Sequence, residues 1–257
     1  MRIYGGLGRY TKEDLERICG NSRVQGIVLG DLFCQKRMFP SGFLGLADGI
    51  RYAHSCGKRV VYQPPLYATS KNMEEIDTIL SLMEEERKDG VVLTGDIGLA
   101  ALVRQKYASL SLCWNRMGRS REYSYNPAFF SFLKENQITC FETDKEETAQ
   151  KLLQAGIEPW LVYGNLYYKT MGRICYCQYE LGLDSFDCQE VCNTGGYSLR
   201  AEDGSFRMSM DGYLLGEELR YSEYVRKQIQ EGQAGTAVVY ARTAKELERR
   251  LMEAAGA

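Results

Sequence analysis

Eight short apolar runs, each stopped by glycine or a polar residue, recur along the chain with amphipathic stretches between them, and this alternation limits the fold more than any other feature. The runs cover residues 2–7, 24–29, 59–62, 90–93, 109–113, 138–141, 160–163 and 237–240. They are apolar without interruption, the pattern of strands covered on both faces, and too short for helices. The stretches between them have helical spacing. Residues 11–19 open with Thr11 in a capping position and with Glu13 and Asp14 where a helix dipole favours negative charge. Met73, Ile76, Ile79, Leu80 and Met83 share one helical face, and 43–56, 97–107, 127–136, 145–155 and 244–253 read the same way. Buried parallel strands, each followed by a helix, predict an α/β fold, a TIM-like (β/α)8 barrel over residues 1–257. An open doubly wound sheet is the competing architecture.

The alternation pauses between the last two strands. Residues 165–235 hold four cysteines, two short strand patterns at 197–201 and 205–210, and a helical pattern at 217–230. No Pro- or Ser-rich linker separates this stretch from the rest, so it reads as an embedded Cys-rich subdomain, predicted to cap the barrel mouth.

Charge narrows the partners. With 32 Lys and Arg against 34 Asp and Glu, the formal net charge is −2 and no block of one sign occurs, which gives no support for a nucleic acid partner. The richest apolar window, near 91–103, is broken by Thr94 and Asp96 and falls short of the roughly 20 apolar residues of a membrane span. The first residues resemble a strand rather than a secretory signal, and the expected location is cytoplasmic.

In a barrel of this kind, chemistry is carried at the C-terminal ends of the strands. Here those ends read Gly5-Gly6, Asp31 with Cys34-Gln35-Lys36-Arg37, Gln63-Pro64-Pro65, Thr94-Gly95-Asp96, Trp114-Asn115-Arg116, Glu142-Thr143, Tyr163-Gly164-Asn165 and Arg242-Thr243. Arg37, Asn115, Arg116 and Arg242 are the candidate binders of a small anionic substrate, because guanidinium groups pair with carboxylates through two parallel hydrogen bonds. The single histidine, His54, falls near the end of the second helix and so on the opposite rim, where a surface or helix-capping role is expected.

Nine cysteines beside one histidine in a reducing compartment point to thiolate metal ligation or plain burial rather than disulfides. Cys175, Cys177, Cys188 and Cys192 fall within eighteen residues. Thiolates select zinc or iron–sulfur clusters. Two arrangements are open: a local four-cysteine zinc knuckle, or three of these cysteines joined by Cys34 from the loop after the second strand. Cys19 and Cys56 close helices, Cys140 lies inside a strand, and these read as small buried apolar residues, with Cys113 less settled.

The motif Cys34-Gln35-Lys36-Arg37 after an early strand, and Cys175-x12-Cys188-x3-Cys192 after Val162-Tyr163-Gly164, resemble the collagenase-like peptidase family and within it the UbiV-like iron–sulfur branch. The resemblance implies a 4Fe-4S cluster held on a TIM-like barrel by Cys34, Cys175, Cys188 and Cys192, with Cys177 a neighbour. It also implies an oxygen-independent hydroxylation or redox role and a heteromeric partner from the same family. The family's Glu-x-Phe-x-His-Gly signature stands here as Pro159-Trp160-Leu161-Val162-Tyr163-Gly164, without acid or histidine. That departure weakens the alternative peptidase (hydrolase) reading. A non-catalytic metal-binding subunit is the third reading.

Overall fold

A computed structural model describes residues 1–31, 45–66, 68, 72–86, 89–115, 127–167, 170–171, 197–200, 202–203, 207–211, 214–215, 218–233 and 235–256. Seven strands come first: β1 (Arg2–Leu7), β2 (Gly26–Leu29), β3 (Arg59–Tyr62), β4 (Val91–Thr94), β5 (Ser111–Trp114), β6 (Cys140–Thr143) and β7 (Glu158–Tyr163). Six short strands follow, β8 (Asn165–Tyr167), β9 (Thr170–Met171), β10 (Tyr197–Arg200), β11 (Arg207–Asp211), β12 (Leu214–Leu215) and β13 (Glu218–Arg220), before β14 (Thr236–Ala241). The described helices are α1 (Lys12–Gly20), α2 (Leu46–Ser55), α3 (Met73–Glu86), α4 (Ile97–Lys106), α5 (Pro127–Glu135), α6 (Glu146–Gln154), α7 (Glu223–Gln230) and α8 (Ala244–Ala255).

The sheet closes in the order β1-β14-β7-β6-β5-β4-β3-β2, every pairing parallel, which is the predicted barrel and excludes the open sheet. Alternate residues point inward. Tyr4, Val28, Val61, Leu93, Cys113, Cys140, Trp160 and Val238 fill the interior, with Trp160 edge-on to Tyr4 at 5.2 Å. The residues between them pack outward against the helices, as Ile27, Tyr62, Val92, Leu112, Phe141 and Val239 do. Both faces are therefore dry, which is why the strands read as unbroken apolar runs.

Four strands run one or two residues further than predicted, β14 by Ala241. Thr94, Trp114, Glu142 and Thr143, expected in loops, are the last residues of β4, β5 and β6, because ladder pairing continues through Thr94 to Trp114, Glu142 to Trp160 and Thr143 to Leu161. A second correction concerns the helix predicted for 217–230. Residues 218–220 instead form β13, antiparallel to β8, and the helix starts only after Ser222, whose hydroxyl accepts a hydrogen bond from the Val225 N–H. A good capping residue overrides the weak helical pattern before it. Strands β10, β11, β12 and β9 form a separate antiparallel sheet between β7 and β14.

Caps fix where helices begin. Thr11 and Asp14 form a reciprocal capping box on α1, Asp96 caps α4, and Thr243 caps α8, which ends at Gly256 in the left-handed conformation. First and last helices are tied together: Arg17 binds Glu248 through two bonds of 2.7 and 2.5 Å, and the Asp14 carboxylate accepts the Ala244 N–H at 2.8 Å.

The N-terminal rim is locked by polar contacts of a structural kind. Arg2 and Thr236 both donate to Glu158, at 2.6 and 2.7 Å, Arg59 donates to the Tyr4 hydroxyl at 3.2 Å, and Lys58 donates to the carbonyls of Asn21 and Val24 at 2.8 and 2.7 Å. His54 lies on this side, as expected, but it is not a surface residue. Its side chain is 6% exposed and its Nδ1 meets Glu86 of α3 at 2.8 Å, so it joins two helices. No described helix is long and apolar enough to cross a membrane.

Candidate active site

Because every barrel strand runs the same way, all eight C-terminal ends open on one rim. Buried polar residues gather there: Asp31 after β2, Gln63 after β3, Thr94 of β4, Asn115 after β5, and Glu142 with Thr143 of β6. Most of the buried polar residues stand at this end, Lys58 and Thr236 being at the N-terminal rim.

Glu142 is the centre of this group. Its side chain enters the barrel beside Trp160 and the residue is 3% exposed. Two neutral donors from other strands hold it: Asn115 Nδ2 bonds Oε2 at 3.1 Å, and the Tyr240 hydroxyl bonds Oε1 at 3.1 Å. Tyr240 reaches Glu142 past β7, which lies between their strands. Its ring needs the space left by Gly6 on β1, where a Cβ would lie 2.6 Å from two ring atoms. Burial, and then the Glu142 charge, push the Tyr240 phenol well above its ordinary pKa, so it is a fixed donor at neutral pH.

Gly164 shapes the same rim. Its φ is +90°, and a Cβ there would sit 2.2 Å from the Tyr240 carbonyl oxygen, so only glycine lets the chain leave β7 so close to β14. Tyr163, the residue that stands where the related signature has histidine, turns away from the mouth. Its ring packs outward, edge-on to Tyr221 at 5.0 Å, and burial raises its pKa.

Of the substrate-binding residues expected from the sequence, Asn115 is 1% exposed and engaged with Glu142. Arg242 is exposed on the turn between β14 and α8, with its backbone N–H bonded to Glu246 at 3.0 Å. Arg37 and Arg116 lie outside the described residues, as do Cys34, Cys175, Cys177, Cys188 and Cys192. Among the described residues, no three His, Cys, Asp or Glu side chains gather as a metal site. Cys113 and Cys140 face each other in register inside the barrel, and burial, followed by the contact with Cys140, pushes the Cys113 thiol far above its ordinary value. Both thiols lie in the apolar interior, the surroundings of a structural cysteine. Cys19 is buried and pushed up to about 12, chiefly by desolvation, whereas Cys56 caps α2 in solvent.

Tyr240 is the member of the site that strand-end reading passes over. It lies within β14 rather than after it, and the signal that finds it is the alternation Thr236, Val238, Tyr240, which turns it inward with the other interior residues.

No protein-family profile and no curated protein matches the chain. Two solved structures resemble it. The U32 peptidase Mk0906 aligns with a TM-score of 0.54 at 12% identity, over 94% of this chain and 92% of that one. An uncharacterized B. cereus protein aligns with a TM-score of 0.47 at 12% identity, over 97% of this chain and 64% of that one. At such identity the first likeness is one of fold, and the fold it shares is the one expected from the resemblance to collagenase-like peptidases.

Proposed function

We propose that this chain is an iron–sulfur barrel protein of the collagenase-like peptidase family, an oxygen-independent biosynthetic redox or hydroxylation enzyme, or component of one, that takes a small anionic organic substrate at its mouth. The observation that carries this reading is the shared rim. The segment bearing Cys34 leaves after β2, and the segment bearing Cys175, Cys188 and Cys192 leaves after β7, both at the end of the barrel where Glu142, Asn115 and Tyr240 meet. Four thiolates are the usual donor set of a 4Fe-4S cluster, and these four cysteines would hold it. A bound cluster supplies one-electron transfer or an open iron site to a molecule beside it. The chain's own residues fix a carboxylate acceptor in the mouth, shield it from water and, at Arg242 with Arg37 and Arg116, offer positive charge to a substrate carboxylate. A second subunit of the same family is the expected partner.

A peptidase reading draws on the U32 peptidase that shares the fold. The sole histidine is engaged with Glu86 on the opposite rim and Tyr163 points outward, so a histidine-dependent mechanism has no base at the mouth. Protein purified without oxygen is expected to contain iron and acid-labile sulfide and to absorb broadly in the visible. Stoichiometric zinc, with neither iron nor sulfide after reconstitution, overturns the proposal.

A further inference from the structure

Cys19 and Cys56 stand beside each other at the rim opposite the mouth. Cys19 is in the last turn of α1, Cys56 is the residue that ends α2, and the two helices pack side by side. Lys58 straps their ends together. Its N–H bonds the Ala53 carbonyl of α2 at 3.0 Å, and its ammonium donates to the carbonyl of Asn21, the residue that ends α1, at 2.8 Å and to that of Val24 at 2.7 Å. The thiols feel each other and the cation: burial and then Cys56 push the Cys19 pKa up, and the Lys58 ammonium pulls it down. Cys56 is also a hydrogen-bonding neighbour of the Tyr52 hydroxyl, one turn earlier in α2.

Exposure divides the pair. Cys56 is in solvent, whereas Cys19 is 4% exposed directly beside it. Cys113 and Cys140 also face each other, but both are buried in the barrel interior, away from any solute. Among the described residues, Cys19 and Cys56 are therefore the neighbouring thiols that a dissolved oxidant can meet, and a lysine cation nearby favours the reactive thiolate form.

We propose that Cys19 and Cys56 form an oxidation site, at which hydrogen peroxide converts the two thiols to a disulfide that joins α1 to α2. Cys56 meets the peroxide first, because it is the exposed member. Its sulfur attacks one peroxide oxygen, the O–O bond breaks, and the hydroxide released takes up the thiol proton as water. Cys56 is then a sulfenic acid. The Cys19 sulfur attacks the Cys56 sulfur, the S–O bond breaks, and the departing hydroxide leaves as water with the Cys19 proton. Each sulfur loses one electron and the peroxide gains two. A small dithiol reverses the reaction by thiol–disulfide exchange. Neither step involves the mouth, so the inference stands apart from the function proposed above.

The test treats the intact, anaerobically prepared protein with a small excess of hydrogen peroxide, blocks the remaining thiols with iodoacetamide and digests the chain with trypsin without reductant. Cleavage after Arg17, Arg23, Arg51 and Lys58 puts the two cysteines on separate peptides, 18–23 and 52–58. Mass spectrometry is expected to find these peptides joined in most wild-type chains and separate after dithiothreitol. In Cys19→Ser the sulfenic acid on Cys56 has no resolving thiol, so its trapping by dimedone is expected to rise several-fold over wild type. Where Cys19→Ser does not fold by near-ultraviolet circular dichroism, phenylarsine oxide decides, because trivalent arsenic bridges neighbouring thiols. The wild type should then bind one equivalent more than Cys56→Ser, a change at an exposed position. Peptides that stay unlinked in the oxidised wild type overturn the proposal, whether Cys56 is untouched, stops at the sulfenic acid or pairs with another cysteine. Equal arsenic uptake by wild type and Cys56→Ser does the same.

Discussion

Gly6 of β1 and Tyr240 of β14 are register partners across the seam that closes the barrel, and the tyrosine ring occupies the space that a side chain on residue 6 would fill. A Cβ at 2.6 Å from the ring forces the phenol away from Glu142. Gly6→Ala is therefore expected to destabilise the protein by about 1–3 kcal/mol in urea unfolding. In a Tyr240→Leu background the same change costs less, with a coupling of about 1 kcal/mol in the double-mutant cycle. Strictly additive effects would show that the ring and residue 6 do not compete for space.

Cys34→Ala is expected to remove the cluster, whereas Cys177→Ala keeps most of it, because one missing thiolate opens a cluster to solvent. Iron and sulfide content per chain is the measurement. Iron retained in Cys34→Ala and lost in Cys177→Ala would favour the local four-cysteine knuckle.

The Arg17–Glu248 pair makes one contribution to stability pH-dependent. The hydrogen bond from Arg17 holds the Glu248 carboxyl below the usual glutamate range. A depressed folded pKa adds stability that is present above the unfolded glutamate value and is lost as pH falls through the folded one. Glu248→Gln should thus lose less melting temperature than wild type between neutral pH and the acid range below pH 4 or so. Parallel losses in the two proteins would show that the pair adds nothing, and added salt should shrink the difference because both groups are partly exposed.

His54→Gln breaks the bond to Glu86 between α2 and α3 and is expected to cost about 1–2 kcal/mol of stability. Iron content should stay at the wild-type level, since the residue belongs to the opposite rim. Its loss in a folded variant would put His54 in the functional machinery.

The barrel was legible because its strands are buried on both faces: runs such as Val91-Val92-Leu93 cannot be half-solvated, and the helices between them keep a clear period. The polar mouth was legible in part. Asn115 and Glu142 stand at strand ends and attract attention as polar residues after apolar runs, but nothing local says that they bond to each other or that Glu142 still belongs to a strand. Tyr240 was hidden because a tyrosine within a strand reads as packing, and its meeting with Glu142 depends on closure between segments 98 residues apart. The helix start at Ser222 was missed for a similar reason: β13 exists only because β8 pairs with it, and a three-residue strand has no period of its own to read.

The position of β14 between β1 and β7 also sets an order of assembly. On a ribosome, seven strands can align as an open sheet whose two edges are β1 and β7, and they wait for residues 236–241 to join them. Everything between, including Cys175, Cys188 and Cys192, is synthesised before that strand. The thiols are thus made first and the sheet is sealed last. A nascent chain stalled in residues 165–235 presents two unpaired parallel edges, the surfaces on which strands of other chains add.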